Sequence, residues 1–317
     1  MDDLTKVLVT CPPMLGMIDR FIPIFEKYKI SATTPDVIQS FTEKELIDIL
    51  PSHDGWIIGD DPATRPVVEA GVKGKFRAAV RWGIGVDNVD FGAFRDHSVP
   101  IANTPGVFGK EVADMAVGYV IALARETFSI DRMVRTGTWH KPRGISLDGK
   151  KVALVGYGNI GANIAKRLVA LDMDVSVYDP YVLPDKSIEG VQIKEWPTGV
   201  EQSDFIVLSC PLSEETHHLI DMDLLNTKVK KGVRVINVSR GGLIEQAALE
   251  NALKSGLIHS VALDVYEVEP LSNNSYLKQH PLCILGSHNS SNTVEAVERA
   301  SQSAIRILSG FLNLSVD

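Results

Sequence analysis

A chain of 317 residues with 44% hydrophobic content is too long for one typical core and suits two domains, each able to bury a sizeable interior. A net charge of -8 and a pI near 5.5 speak against nucleic acid as the main partner, because phosphate binding needs a concentrated basic face and no basic run occurs. Cys11, Cys210 and Cys283 lie far apart without CxxC spacing, so they indicate neither a disulfide framework nor a zinc site, and a reducing compartment fits best.

The first residues, MDDLTKVLVT, are acidic and pass straight into a strand pattern, unlike a signal peptide. No uninterrupted apolar run is long enough to span a bilayer, so a soluble cytoplasmic chain without a membrane partner is expected. Short apolar strands at 7–9, 30–32 and 56–58 alternate with helical patterns at 18–28 and 43–50, which is α/β alternation. A strand at 78–80 runs into RWGIGVDNVD (81–90), where Gly83 and Gly85 free backbone amides for a ligand. The plain alternative there is a turn leading to a capped helix. A strand at 99–103 precedes a long helix from about Lys110. Val112, Met115, Ala116, Tyr119, Val120 and Leu123 make it apolar over a wide face, which suggests burial against another domain or subunit. The polar stretch that follows, up to Gly149, reads as a connection.

Residues 150–180 have the pattern of a dinucleotide-binding βαβ unit. The apolar run Val152 to Val155 reads as a buried parallel strand. Gly156, Gly158 and Gly161 then fit GxGxxG: the first permits the tight turn, the second lets backbone approach a pyrophosphate, and the third allows close helix–strand contact. In the helix that follows, from Asn159 to Leu171, the stripe Ile160, Ile164, Leu168 and Leu171 faces a sheet, and the helix N-terminus points at the phosphates. A second strand, 175–178, ends in Asp179, placed to accept from the adenosine ribose, which favours NAD over NADP. The plain alternative is an ordinary βα turn closed by a capping Asp.

Beyond Asp179 a loop with Pro180, Pro184 and Pro197 leads to strands at 205–209, 233–237, 261–265 and 282–285, with a helix at 245–254 between the second and third. His217 and His218 are adjacent and would point in different directions on any regular element. Without other ligands nearby no metal site is expected, and they read as surface residues. A terminal helix, 294–311, puts Val297, Ile305, Leu308 and Phe311 on one side, as core packing requires.

Arg240, Glu269 and His288 each follow the C-terminal end of a predicted parallel strand, the edge where open α/β sheets bind ligands. Arg240 can grip a carboxylate through a bidentate pair. His288 can give or take the proton that accompanies hydride movement, and Glu269 can orient the imidazole and favour its cationic form. Singly, each has a plainer role as a surface ion-pair arginine, a loop acid before Pro270, or a packing histidine. Their shared placement beside a dinucleotide fold argues for the joint chemistry.

The motifs GIGVDNVD (83–90), NTPGVFGKEVADMAVG (103–118), LVGYGNIG (154–161), YDP (178–180), NVSRGGLI (237–244), ALDVYEVEP (262–270) and the histidine of GSHNSSNT (286–293) together resemble the D-isomer-specific 2-hydroxyacid dehydrogenase family over nearly the whole chain. The resemblance implies an α/β chain of two Rossmann-like doubly wound parallel-sheet domains. A substrate domain, 1–100 and 290–317, would receive an inserted NAD domain, 101–289. It further implies an NAD-dependent oxidoreductase interconverting a D-2-hydroxy acid and its 2-oxo acid. Arg240 would bind the carboxylate and carbonyl, and His288, assisted by Glu269, would be the acid/base. The backbone of Ile84 and Gly85 would meet the substrate carboxylate. Gly156, Gly158, Asn159, Ile160, Gly161, Asp179, Cys210, Pro211, Thr216, Val238, Asp264 and His288 would line the cofactor, with Asp264 near the carboxamide. The long helix after Asn103 would lie in a homodimer interface.

Two departures from the family pattern bear on the pocket. Ser287 and Asn289 flank His288 where the family commonly has proline and an aliphatic residue. In the loop GDDPAT (59–64), where phosphoglycerate enzymes tend to carry arginine, Asp60 and Asp61 would repel a phosphate, leaving Arg81 and Arg65 as candidate anion partners. The alternative from another class is an NAD(H)-sensing binding protein or corepressor on the same fold.

Overall fold

The computed structural model describes residues 4–182 and 189–315, so Pro184 of the expected loop lies outside the described residues. The chain packs as two units: one runs through Val107 and resumes at Asn292, and the other runs from Phe108 to Ser291.

The first unit is built on five strands: β1 (Thr5–Val9), β2 (Ile30–Thr33), β3 (Gly55–Ile58), β4 (Ala78–Arg81) and β5 (Ile101–Asn103). They lie in the order β2-β1-β3-β4-β5 with every pairing parallel. Because β5 pairs with β4, this unit extends past the boundary expected at residue 100. β3 and β4 are buried along their whole length, as strands covered by helices on both faces must be. Leu8, Trp56, Ile58, Val67 and Phe94 fill one side. The terminal helix Val294–Phe311 packs on β3 and β4, with Val297, Ile305 and Leu308 fully buried.

Two local expectations change here. The helix expected over 18–28 is broken into a 3-10 turn, Ile18–Arg20, and a helix, Ile22–Lys27. Pro23 stands in the first turn of that helix, where its missing N–H costs nothing but where it cannot continue an earlier helix. Helices Arg65–Val72 and Phe91–Asp96 are additional. The second is capped by Asp90, whose carboxylate accepts from the Ala93 N–H at 2.8 Å, so the turn after β4 does lead into a capped helix.

The second unit holds seven strands: β6 (Lys151–Val155), β7 (Asp174–Tyr178), β8 (Val191–Ile193), β9 (Phe205–Leu208), β10 (Val233–Asn237), β11 (Ile258–Leu263) and β12 (Cys283–Leu285). Their order is β12-β11-β10-β9-β6-β7-β8, again all parallel. The chain goes from β6 to β7 on one side and returns to β9 on the other. The C-terminal ends of β6 and β9 therefore open a crevice at the point where the strand order reverses. The corresponding point in the first sheet lies between β1 and β3.

Helix Gly109–Arg125 packs on helix Asn159–Val169 and on β10 and β11. It stops at Glu126, which has a left-handed backbone with φ of 53°, and a second helix, Thr127–Arg135, occupies part of the expected polar connection. That helix is amphipathic but polar overall, and it leaves Phe128 and Val134 exposed, so the stretch reads as a polar connection. Helix Met222–Lys228, capped by Asp221, and the three-residue edge strand β8 are likewise too short to stand out. Among the described residues no helix is long and apolar enough to cross a membrane.

Candidate active site

The candidate residues of the second unit collect at one edge of its sheet. Gly156 follows β6, Asp179 follows β7, Cys210 and Pro211 follow β9, Val238 and Arg240 follow β10, Asp264 follows β11, and His288 follows β12. Parallel strands put all these ends on the same side, so register alone gathers residues spread over more than a hundred positions.

The glycine turn is shaped to take a phosphate. Gly156 has φ of 93°, a conformation that favours glycine, and a Cβ there would fall 2.5 Å from the Cys210 backbone nitrogen. Gly161 lies so close under the turn that a Cβ would sit 2.1 Å from the Gly156 carbonyl oxygen. Around Gly158, by contrast, no atom lies within 4 Å of where a Cβ would stand, leaving the open approach that a pyrophosphate needs. Helix Asn159–Val169 begins there and presents its unpaired N–H groups. The Asn159 side chain packs against Gly109, so its contribution to an anion is its backbone. The Asp179 carboxylate accepts from the Tyr157 N–H at 2.7 Å and the Tyr181 N–H at 2.9 Å, which fixes it beside the turn with lone pairs to spare. Cys210 is buried, and burial pushes its thiol up to about 11, so it is an apolar wall and not a nucleophile. Thr216 closes its own loop by donating to the Pro211 carbonyl at 2.8 Å. Val238 is buried, and Ile160 is half-buried.

His288 and Glu269 meet directly: His288 Nδ1 lies 2.8 Å from Glu269 Oε2, both half-buried. Glu269 Oε1 accepts from the Tyr266 N–H at 2.9 Å, so the carboxylate is held at both oxygens. His288 has a left-handed backbone, φ 55°, which costs a non-glycine residue about 1–2 kcal/mol unless surrounding bonds compensate. Those bonds come from Asp264. Its carbonyl accepts the His288 N–H at 2.7 Å, and its carboxylate accepts the N–H groups of Asn289 at 3.1 Å and Ser290 at 2.8 Å. The Asp264 side chain is only 1% exposed and holds the turn on which His288 stands, a job that its strand-end position in the sequence does not reveal. Tyr266 adds a further tie, donating its hydroxyl to the Gly286 carbonyl at 2.8 Å.

Arg240 sits on a turn locked by the fully buried Asn237, whose amide donates to the Arg240 carbonyl at 2.8 Å and accepts from the Ser239 N–H at 3.0 Å. Its guanidinium donates to the Ser239 carbonyl at 2.9 Å. A Cβ at Gly241 would lie 1.8 Å from the Tyr266 backbone, so this glycine lets the Arg240 turn press against the loop that ends in Glu269. Gly241, Asn237, Tyr266 and Asp264 are the positioning residues of the site. All four fall within the quoted motifs, but only Asp264 is given a role there, and a different one.

His217 and His218 correct one expectation. Their rings stack at 3.8 Å and 26°, pointing the same way, because His218 has φ of 52° in an irregular turn and alternation no longer applies. His218 Nε2 lies 2.6 Å from Glu267 Oε1.

Ile84 and Gly85 belong to the other unit, in the loop after β4. There the Gly83 N–H donates to Thr104 Oγ1 at 2.8 Å, and Asn103 donates to the Ile84 carbonyl at 3.0 Å. Both candidate anion partners are engaged: Arg81 with Asp60 at 2.7 Å, and Arg65 with Asp96 at 2.8 Å.

Residues 117–290 match the NAD-binding domain of D-isomer specific 2-hydroxyacid dehydrogenases. The chain belongs to that family. It is 35% identical over 270 residues to the hydroxypyruvate reductase of Thermotoga maritima, covering 83% of this dehydrogenase-family chain and 87% of that protein. It is 36% identical over 238 residues to the chloroplastic D-3-phosphoglycerate dehydrogenase 2 of Arabidopsis thaliana, where the match takes in 74% of this chain but only 38% of the plant protein. Among solved structures, the apo D-lactate dehydrogenase of Escherichia coli superposes with a TM-score of 0.81 at 25% identity, over 98% of both chains. NAD is the cofactor of this family member, and the glycine turn, the open face at Gly158 and Asp179 fit it.

Asp264→Asn tests the clamp under His288. An amide offers one acceptor oxygen where the carboxylate offers two, and it turns an NH2 toward a backbone N–H. Stability should fall by about 1–3 kcal/mol, measured by urea unfolding of the full chain, and an unchanged midpoint would remove Asp264 from this role.

Proposed function

We propose that this protein interconverts a D-2-hydroxy acid and its 2-oxo acid with NAD, using Arg240, Glu269 and His288. The observation that carries the reading is the His288–Glu269 pair, an imidazole and a carboxylate 2.8 Å apart on the ligand-binding edge of a sheet that bears a dinucleotide turn. Bound NAD supplies or accepts the hydride. The protein's own part is to hold the acid and move the proton.

Arg240 grips the carboxylate and polarises the neighbouring carbonyl, a task for which its planar fork suits better than an ammonium. The family resemblance also gives the backbone at Ile84 and Gly85 a role in meeting the substrate carboxylate. His288, with Nδ1 committed to Glu269, uses Nε2 to give a proton to the developing alkoxide in reduction and to take one from the hydroxyl in oxidation. Glu269 keeps the ring oriented and supports its cationic form. Gly156, Gly158, Asn159, Ile160, Gly161, Asp179, Cys210, Pro211, Thr216, Val238, Asp264 and His288 would line the cofactor, with Asp264 near the carboxamide. The chain works as a homodimer through helix Gly109–Arg125, a reading supported by Met115 and Ile121, which that helix leaves 37% and 39% exposed.

Following NADH oxidation with glyoxylate, hydroxypyruvate, pyruvate and 2-oxoglutarate tests the activity. Turnover of at least one acid is expected, while NADH binding without turnover of any would favour a sensing protein on the same fold.

The cofactor reading predicts that Asp179 accepts from a free ribose and repels a 2′-phosphate. NADH should surpass NADPH in kcat/KM by about tenfold or more, and Asp179→Ser should shrink that preference. Equal constants for the two cofactors in the parent would refute it.

The pair predicts a pH effect of definite sign. In Glu269→Gln the amide oxygen takes over the Tyr266 N–H and the amide NH2 turns to His288 Nδ1, which must then be an acceptor. The imidazolium, with both ring nitrogens protonated, is disfavoured. Reduction needs the imidazolium, so its activity should fail at lower pH than in the parent, while oxidation, which needs neutral imidazole, should persist to lower pH. Both limbs should move by roughly 1 pH unit or more, and static kcat/KM profiles would take Glu269 out of the mechanism.

A further inference from the structure

The first unit carries information on what the substrate has at its other end. β3 and β4 are neighbours, with Ile58 paired to Arg81 at their C-terminal ends, so the loops that follow them emerge side by side. One of these is the Ile84–Gly85 loop. The inference rests on the proposal that this backbone meets the substrate carboxylate.

Residues 59–64 and 81–90 together contain one basic residue, Arg81, against Asp60, Asp61, Asp87 and Asp90. Arg81 is not available to a second anion. Its side chain is 6% exposed, and its guanidinium is spent on three acceptors: Asp60 Oδ1 at 2.7 Å, Asn88 Oδ1 at 3.3 Å and the Trp82 carbonyl. The Asp60 carboxylate is 37% exposed, so it is the member of the pair that faces outward. Asp61 is fully buried, held by Thr10 and by the N–H groups of Gly59 and Phe41, and adds no positive charge. Arg65, the next cation, is tied to Asp96 at 2.8 Å and lies 3.9 Å from Asp90.

We infer that the physiological substrate is a 2-oxo or 2-hydroxy acid whose remaining substituent is uncharged, such as hydrogen, alkyl or hydroxymethyl, and that Asp60, by neutralising Arg81, excludes acids bearing a second anionic group. A phosphate or second carboxylate would enter loops whose only cation is compensated, and would meet carboxylates where it needs a guanidinium. A small uncharged substituent meets no such opposition.

The test compares kcat/KM with NADH for hydroxypyruvate, pyruvate and glyoxylate against 3-phosphohydroxypyruvate and 2-oxoglutarate, in the parent chain and in Asp60→Asn. The asparagine keeps an oxygen for Arg81 while removing the charge. The parent should favour the best acid with an uncharged substituent by about tenfold or more over either acid that bears a second anionic group. Asp60→Asn should narrow that ratio by about tenfold at low ionic strength, and less at high salt, as screening requires. Equal or better turnover of 3-phosphohydroxypyruvate or 2-oxoglutarate by the parent overturns the inference and leaves the dehydrogenase reading intact. A ratio unmoved in Asp60→Asn also overturns it, since Asp60 would then not be the discriminating group. If that variant does not fold, the parent's ranking decides. No turnover of any acid is a different failure, that of the dehydrogenase reading itself.

Discussion

In each unit a buried carboxylate holds the loops at the C-terminal edge of its sheet, and the candidate chemistry depends on that arrangement. Asp264, after β11, ties down the backbone of Asn289 and Ser290 and so sets the left-handed turn at His288. Asp61, after β3, accepts from Gly59 and Phe41 backbone and from Thr10, itself bonded to the indole of Trp56 at 2.9 Å. Burial pushes the Asp61 carboxyl up, and those three donors pull it back down. A carboxylate out of water is tolerated only when its oxygens are satisfied, so each loop it touches is fixed by the cost of leaving it unpaired. Loops rigid enough for proton transfer thus come from groups that never need to touch the substrate.

The site of the second unit is a set of short loops pressed together. Gly241 brings the Arg240 turn against Tyr266, Tyr266 gives its N–H to Glu269 and its hydroxyl to Gly286, and Glu269 reaches His288. Tyr119 and Tyr266 lie beside Asp264, and burial together with that carboxylate raises both phenols, Tyr119 to about 12, so they remain hydrogen-bond donors through the working pH range. The arginine, the acid and the histidine are therefore not three independent placements. A shift in one loop is passed to the others through backbone contacts that have no slack.

The legible parts of this protein are those in which one residue type is forced by a local constraint. GxGxxG could be read because each glycine answers a steric demand that only glycine meets, and Asp179 because a strand end and a fixed distance from the turn locate it. The placement of Arg240, Glu269 and His288 at one edge could be read because strand ends in a parallel sheet share an edge whatever the loops do. The positioning roles of Asn237, Gly241 and Tyr266 could not: the Asn237 and Tyr266 bonds within three residues depend on loop conformation, and the close approach of Gly241 to Tyr266 joins segments far apart in the chain. The helix Thr127–Arg135 and the 18–28 segment depart from the sequence expectation for different reasons: the first is amphipathic but polar overall and short, and the second is apolar enough but interrupted by a proline.

Asp60 belongs to neither class. Its sequence position announces a charge that would repel a phosphate, but not which cation it meets. The same residue set 2.7 Å from a buried arginine at the neighbouring strand end changes the electrostatics of the whole loop, because it converts the one cation present into half of an ion pair. A site that must hold one carboxylate gains nothing from leaving a second cation unsatisfied, and an unpaired buried guanidinium would be costly in itself. On the inference drawn above, the bond that spares the buried guanidinium from standing unpaired is also the one that would reject a second anion.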